Sequence, residues 1–430
     1  MTHIGIIGAG ITGVTTAYAL NERGYEVTVF DQHRYAGMET SFANGEQLTA
    51  SSAEVWNKLS TVFQGLRWMM RRDAPLRMNP MPSWHKYSWA AEFLLGIRNY
   101  RQNTIETVRL AIEARHHLFE IAERETIDFD LERRGVLLIC KDKAGYNKAS
   151  EVNKLLNEGG LDRRPVTSGE MRQIEPTLKG SYYGGFFTPS DSTGDVHKFT
   201  RGLADACVRH GVRFAYDTEI EKIVPKDSGY AIRWIPVSRD DGGANANEWR
   251  PIQVDGVVIC AGCASRNFAA QLGDRVSVYP VKGYSITVFL STPESQAAAP
   301  FVGIADDATK IVTSRLDRDR FRVAGTAEFS GFNRDIRHDR IQPLIDWTRQ
   351  QFPNVATDRV VAWSGLRPMT PSMLPRVGPG GRFGVFYNTG HGHLGWTLAT
   401  ATAQRVADAI ARVMPVTKHV AANPAVVSSL

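Results

Sequence analysis

The stretch IGIIGAGITG, from Ile4 to Gly13, is a short apolar run that meets three glycines, Gly8, Gly10 and Gly13. An apolar run of that length suits a buried parallel strand. Glycines at this spacing let the backbone turn tightly and come close to a pyrophosphate. The residues that follow, ITGVTTAYALNERG (Ile11 to Gly24), carry apolar side chains at helical spacing and stop at Gly24. YEVTVFD (Tyr25 to Asp31) then reads as a strand ending in an acid. Strand, glycine turn, helix and strand make one βαβ unit. The helix start at Ile11 and Thr12 offers free N–H groups and the positive end of a dipole. Asp31 can accept hydrogen bonds from an adenosine ribose. Gly8, Gly10, Ile11, Thr12, Gly13 and Asp31 are therefore candidate dinucleotide ligands. A nicotinamide and a flavin both fit this grip, and the stretch alone does not choose between them.

The chain has 430 residues, room for two domains or for one discontinuous pair. Its formal net charge of +6 suits anionic substrates or an anionic lipid surface. That charge is too small to argue for nucleic acid, and no Lys/Arg run carries the interleaved aromatics of a single-strand binder. There are four cysteines, Cys140, Cys207, Cys260 and Cys263. The last two form a CxxC, but a metal site would want a second close pair. GVVICAGCAS (Gly256 to Ser265) reads instead as a buried strand ending in a tight turn, with a redox dithiol as the alternative. So few cysteines suit a reducing compartment. The apolar start lacks the basic residues of a secretion signal, and no stretch is long and apolar enough to span a bilayer. A cytoplasmic location, or attachment to the inner face of the membrane, is expected.

Further along, TVRLAIEARHHLFEIAERE (Thr107 to Glu125) has a helix pattern, and YSITVFL, KIVTSRL and RFRVAGT read as strands. Residues 227–260 read as a hairpin with a polar, Gly/Asn-rich tip. The chain closes with FGVFYNTGHGHLGWTLATATAQRVADAIARV (Phe383 to Val413), a second strand, glycine-rich turn and helix. Two such units lie at opposite ends, with VDGVVICAG as a further strand between. They predict one nucleotide domain closed from distant segments, with a second domain of antiparallel strands inserted.

The chain resembles the D-amino acid oxidase-like family of FAD oxidoreductases, and within it the D-amino acid dehydrogenase small-subunit group. The carriers are IGIIGAGITGVTTAYAL, ETSFANGEQLT, RWMMRRDAPL, GVLLIC, VVICAGCAS, PVKGYSITV, WSGLRPMTPSMLPRVG and NTGHGHLGWTLA. The resemblance implies an α/β fold. A Rossmann-like FAD-binding domain would comprise 1–84, 191–274 and 363–415. An inserted α+β substrate domain on an antiparallel sheet would take 85–190 and 275–362, leaving 416–430 as a tail. It also implies FAD, oxidation of a C–N bond beside a carboxylate, and electrons passed to a quinone or similar acceptor.

Individual residues then acquire expected roles. In ETSFANGEQ, Thr40 and Ser41 can donate to phosphate oxygens, while Asn44 and Gly45 approach the flavin ring. Group members usually have a small residue where this chain has Glu46, which puts a carboxylate near the expected site. Ala261 and Gly262 would line the cofactor from the central strand. TGHGHLGWT would aim backbone donors from Gly390, His391, Gly392, His393, Leu394 and Gly395 at the flavin edge where negative charge develops. Arg367, in SGLRPMTPSMLP, matches the arginine that clamps the substrate carboxylate in the family, and a planar guanidinium suits that task. Family members often carry Asp where Ser372 stands. Tyr284 could give its hydroxyl to the same carboxylate, or be an ordinary packed strand residue. Where relatives attach flavin through cysteine this loop has Gly365, so the FAD is expected to be noncovalent. The segment Trp68 to Arg77 and WHKYSWAAEFLLGI after it suggest a lipid-facing patch, or a helix with a basic solvated face. The expected activity is hydride transfer from the Cα of a D-amino acid to flavin N5, then hydrolysis to a 2-oxo acid and ammonia. An oxygen-using oxidase of glycine, sarcosine or another secondary amine is the alternative, and a flavin module acting on a macromolecule is a third.

Overall fold

The computed structural model describes residues 1–69, 76–79, 81–237 and 250–416. The tail from 417, the hairpin tip at 238–249 and the stretch 70–75 of the basic segment lie outside the described residues. Two sheets organise the chain. The six-stranded sheet has the spatial order Arg376–Pro379, Val385–Thr389, Gly256–Ile259, His3–Ile7, Glu26–Phe30, Arg213–Ala215. Its neighbours run parallel except for the first pair. Ile4, Ile6, Val257, Val258 and Ile259 are all fully buried, which is why these strands read as apolar runs rather than as alternation. Helices Ile11–Glu22 and Gly395–Val413 pack against one another, and the small side chains of Ala17, Ala399 and Ala403 let them approach.

The larger, nine-stranded sheet runs Val360–Met369, Tyr279–Phe289, Arg320–Phe329, Ile311–Leu316, Gly303–Asp306, Val136–Cys140, Gly184–Thr188, Arg164–Val166, with Leu76–Met78 paired beside Arg320–Phe329. It is antiparallel except where Gly303–Asp306 meets Val136–Cys140 and Leu76–Met78 meets Arg320–Phe329. Helix His338–Gln351 covers one face, packing Leu344 and Trp347 into the cluster with Ile286 and Val323. Strands Thr218–Pro225, Tyr230–Pro236 and Arg250–Val254 form a small antiparallel sheet that contains the expected hairpin.

The structure departs from the expected domain boundaries in two places. A boundary at Trp363 would cut strand Val360–Met369, which lies wholly in the larger sheet. Helix Tyr100–Arg124, expected in the inserted domain, packs on the nucleotide side. Its Leu118 and Ile121 join the core of the six-stranded sheet, and Ala111 and Ala114 meet Leu398 and Ala401 of the last helix. Its apolar stripe announced a helix but not which neighbour would cover it.

Candidate active site

One long cavity of about 750 Å³ runs between the two sheets. It begins beside Asp31 and Thr218, passes the glycine turn, and reaches Arg367 and the closing turn at 389–397. The glycines of the first turn are needed for different reasons. Gly8 has φ +105, and a Cβ there would sit 2.7 Å from the Cys260 carbonyl oxygen. A Cβ on Gly13 would lie 1.8 Å from the Gly8 carbonyl oxygen, so these two shape the protein. A Cβ on Gly10 would have only Ser41 Oγ within 4 Å, at 3.6 Å. What Gly10 leaves room for is the cavity itself. Gly10 gives helix Ile11–Glu22 no side-chain cap; Ser41 takes the Ile11 N–H, and the helix start at Thr12 lines the cavity, a place suited to an anion. These features fit a dinucleotide pyrophosphate. Asp31 accepts from the N–H groups of Ala9 (2.6 Å) and His33 (2.9 Å), which fixes its carboxylate at the cavity end and leaves lone pairs for hydroxyl donors.

The ETSFANGEQ loop crosses next. Ser41 Oγ accepts from Ile11 N–H at 3.1 Å, which leaves its own proton to give to the cavity. Thr40 differs from expectation: its hydroxyl donates to the Leu366 carbonyl at 2.8 Å, so its proton goes to the substrate sheet. Asn44 Oδ1 accepts from Glu46 N–H at 2.8 Å and supports the left-handed backbone of Glu46, φ +58. Glu46 lines the cavity, and its carboxylate is held by helix Val196–Arg209 and Arg322. One oxygen accepts from Val196 N–H at 2.7 Å at the start of helix Val196–Arg209, and the other lies 3.7 Å from Arg322. Burial raises its pKa to about 8 despite Arg322. Ala261 and Gly262 follow strand Gly256–Ile259 and line the cavity. The neighbouring thiols do not form a reactive pair. Burial pushes Cys260 and Cys263 each up to about 12, and they face Thr16 and the Leu366 carbonyl respectively.

Arg367 stands on strand Val360–Met369, paired with Val281 of the adjacent strand. Its guanidinium lies flat over Gly283, where a Cβ would be 2.4 Å from it. One N–H donates to the Thr326 carbonyl at 2.8 Å. Thr326 sits where the register shifts, with φ +63, and that bulge turns its carbonyl toward the arginine. Among the described residues no carboxylate neutralises Arg367. Burial alone moves its pKa, down to about 10, so it stays charged at neutral pH. A buried cation without a partner is costly, and an anionic ligand offsets that cost.

Tyr284 lines the cavity, but its hydroxyl is engaged elsewhere. Side chains alternate across a strand, so Tyr284 faces away from Gly283 and Ser285, away from the arginine. Its hydroxyl donates to Glu328 at 2.8 Å, and its ring joins the core with Ile286 and Val288. Glu328 is also 3.2 Å from Lys282 and 3.6 Å from Arg337. Tyr284→Phe should therefore cost about 1–3 kcal/mol of stability, by stripping a donor from a buried acid. It should leave kcat/KM within a few-fold, which denaturant unfolding and steady-state assays on the same preparation will check.

The closing turn joins strand Val385–Thr389 to helix Gly395–Val413 through a short 3-10 segment, Gly392–Leu394. Gly390 (φ +77) and Gly392 (φ +59) make the bend, and neither the segment nor the helix has a side-chain cap. Gly390 through Gly395 all line the cavity. The histidines are not ligands of one site. His391 is buried, 2.9 Å from Thr402 Oγ1, and burial lowers its pKa to about 3. His393 stacks on Trp56 (centroids 4.8 Å apart) and donates to the Ser52 carbonyl at 3.3 Å; burial and nearby Arg367 lower its pKa to about 4. Neutral His391 makes stability depend on pH. Its folded pKa lies below the unfolded 6.5, so its contribution is complete above pH 6.5 and lost as pH falls toward 3. Urea unfolding should show stability lower by about 1.5 kcal/mol at pH 5 than at pH 6.5 from this residue, and His391→Gln should remove that share.

Sequence reasoning missed Thr326, Trp56, Trp363 and Arg163, all of which line the cavity. The Trp363 ring lies over Gly365, where a Cβ would meet it at 2.1 Å. A small residue two positions from an aromatic on one strand face was the only local signal for that contact.

Comparison with known proteins agrees with this arrangement. The chain belongs to the DAO family of FAD-dependent oxidoreductases, whose model matches residues 3–409. FAD is thus the dinucleotide that the cavity serves, and the protein is an oxidoreductase. It is 58% identical over 422 residues to D-amino acid dehydrogenase 3 of Mesorhizobium japonicum, covering 98% of this chain and 100% of the relative. It is 37% identical to the D-amino acid dehydrogenase of Paramagnetospirillum magneticum, over 94% of each chain. Among solved structures, glycine oxidase from Geobacillus kaustophilus superposes with a TM-score of 0.74 at 21% identity, over 96% of this chain and 95% of that one. L-Proline dehydrogenase from P. horikoshii does so at 0.72 and 16%, over 96% and 93%. At such identities the structural likeness speaks for the fold.

Proposed function

We propose that this protein is a D-amino acid dehydrogenase, which oxidises the Cα–N bond of a D-amino acid to an imino acid that water hydrolyses to a 2-oxo acid and ammonia. The observation that carries this reading is Arg367, a buried, unneutralised guanidinium in the same cavity as the dinucleotide grip. Bound FAD supplies the hydride acceptor. The chain's own residues do the positioning. Arg367 holds the carboxylate and thereby orients Cα, with the Thr326 carbonyl fixing the plane of the guanidinium. His393 and Trp56 stack into one wall. His391 and His393 stay neutral and add no positive charge that would repel a protonated amine. The substrate class is supported by the names of relatives 58% and 37% identical to this chain. Turnover of D- and L-amino acids with an artificial electron acceptor tests it. D-Amino acids should react without peroxide release under air; turnover of L- or N-alkyl amines alone, or peroxide in step with substrate, would point to the oxidase.

The acceptor side is supported by a surface. Helices Leu59–Met69 and Trp84–Leu95 leave Phe63 (68%), Trp84 (83%) and Leu95 (68%) exposed, and Arg67 and Arg98, near them in the chain, are exposed too. Aromatic and basic residues together suit an anionic bilayer surface, where a lipid-soluble quinone resides. No helix among the described residues is long and apolar enough to cross a membrane. Co-sedimentation with phosphatidylglycerol vesicles should show binding that falls about tenfold or more in a Phe63→Ser, Trp84→Ser double variant. Equal sedimentation of both proteins would remove the membrane contact from the account.

A further inference from the structure

A second unneutralised arginine lines the cavity. Arg163 is 4% exposed and follows helix Lys143–Glu158, where its carbonyl is tied to Asn153. Its Nε is buried without a hydrogen-bond partner. The guanidinium rests over the Phe186 ring at 5.0 Å, a contact that attracts a cation but does not neutralise it.

The acids in its neighbourhood are already engaged. Asp191 accepts from the N–H groups of Ala50 and Ser51 and pairs with Arg115 at 3.4 Å. Asp307 is held by Lys148 and Lys310. Glu54 accepts from Tyr100 and Lys58. Among the described residues none forms an ion pair with Arg163, and burial takes its pKa down to about 10, so it remains charged. Leu138, Ala149 and Val152 give this side of the cavity an apolar stretch, and Lys148, Lys310, Asp306 and Asp307 line it as well. A short run of methylenes ending in an anion suits that combination.

We infer that Arg163 forms a second carboxylate subsite, which receives the side-chain carboxylate of a dicarboxylic D-amino acid while Arg367 holds the α-carboxylate. This rests on the D-amino acid reading above for its kinetics but not for its binding. A buried bond between an arginine and a carboxylate favours the acid over its amide by about tenfold or more.

Two measurements on the FAD-loaded protein test the assignment. Wild-type kcat/KM for D-glutamate should exceed that for D-glutamine by about tenfold or more, and Arg163→Met should bring the ratio near one, with Arg163→Lys between. Titration of the bound flavin's absorbance with glutarate and with butyrate should show the dicarboxylate binding tighter by a similar factor. Arg163→Met should abolish that difference while the flavin spectrum of the unliganded variant stays intact. Equal handling of D-glutamate and D-glutamine by wild type, or equal affinity for glutarate and butyrate, would overturn the subsite. If no D-amino acid reacts yet glutarate still binds through Arg163, the substrate reading fails and the subsite stands.

Discussion

Arg367→Met should lower kcat/KM by about a hundredfold or more while the protein keeps its bound flavin. Truncating one side of a buried charged pair costs about 2–5 kcal/mol, and Arg367 has no carboxylate of the protein to lose. The whole cost then falls on the ligand. The free protein loses only the bond to the Thr326 carbonyl and the repulsion of an isolated buried cation, so the fold should tolerate the change. Arg367→Lys should recover part of the activity, because a lysine carries the charge without the planar fork. Steady-state kinetics beside flavin absorbance separates the two effects. Unaltered kinetics in Arg367→Met would take the arginine out of substrate binding.

The second large effect separates two glycines three residues apart. Gly13→Ala should destabilise the protein by about 3 kcal/mol, since its Cβ would stand 1.8 Å from the Gly8 carbonyl and the turn has nowhere to move. Gly10→Val should leave the fold intact and yet yield protein depleted of flavin, because the added side chain fills space that only the cofactor needs. Thermal unfolding and flavin content together read both. If Gly10→Val held flavin as the parent does, the pyrophosphate would have to lie elsewhere.

Much of the cofactor side was legible in the sequence because its determinants are contiguous. Gly8 to Asp31 is one unbroken run of turn, helix and strand, and the closing turn from Thr389 to Thr397 is another. Arg367 was legible through its short motif. The substrate side was not. Whether Tyr284 faces the cavity depends on which face of strand Tyr279–Phe289 is covered, and a shift in register near Lys282 decides the geometry around Thr326. Neither is encoded locally. Arg163 has no motif at all: it reaches the cavity because strand Arg164–Val166 sits at the edge of the larger sheet, with helix Lys143–Glu158 before it. The same limit applies to Thr40, whose hydroxyl finds the Leu366 carbonyl 326 residues away. Local chemistry suggested a phosphate ligand, and long-range packing supplied another acceptor.

The opening stretch, read alone, could have served a nicotinamide. What resolves it is the second uncapped helix start at Gly395 together with a family model that spans residues 3–409. Strands from both ends of the chain close one sheet, so the two turns come to the same cavity. The insertion between them brings the arginines.

The most direct test is anaerobic mixing of the purified protein with D-alanine, with L-alanine and with sarcosine in turn, while flavin absorbance is followed. The account predicts a protein that is yellow as isolated, bleached by the D-isomer and untouched by the other two. A colourless protein, or bleaching by L-alanine or sarcosine but not by D-alanine, would contradict it.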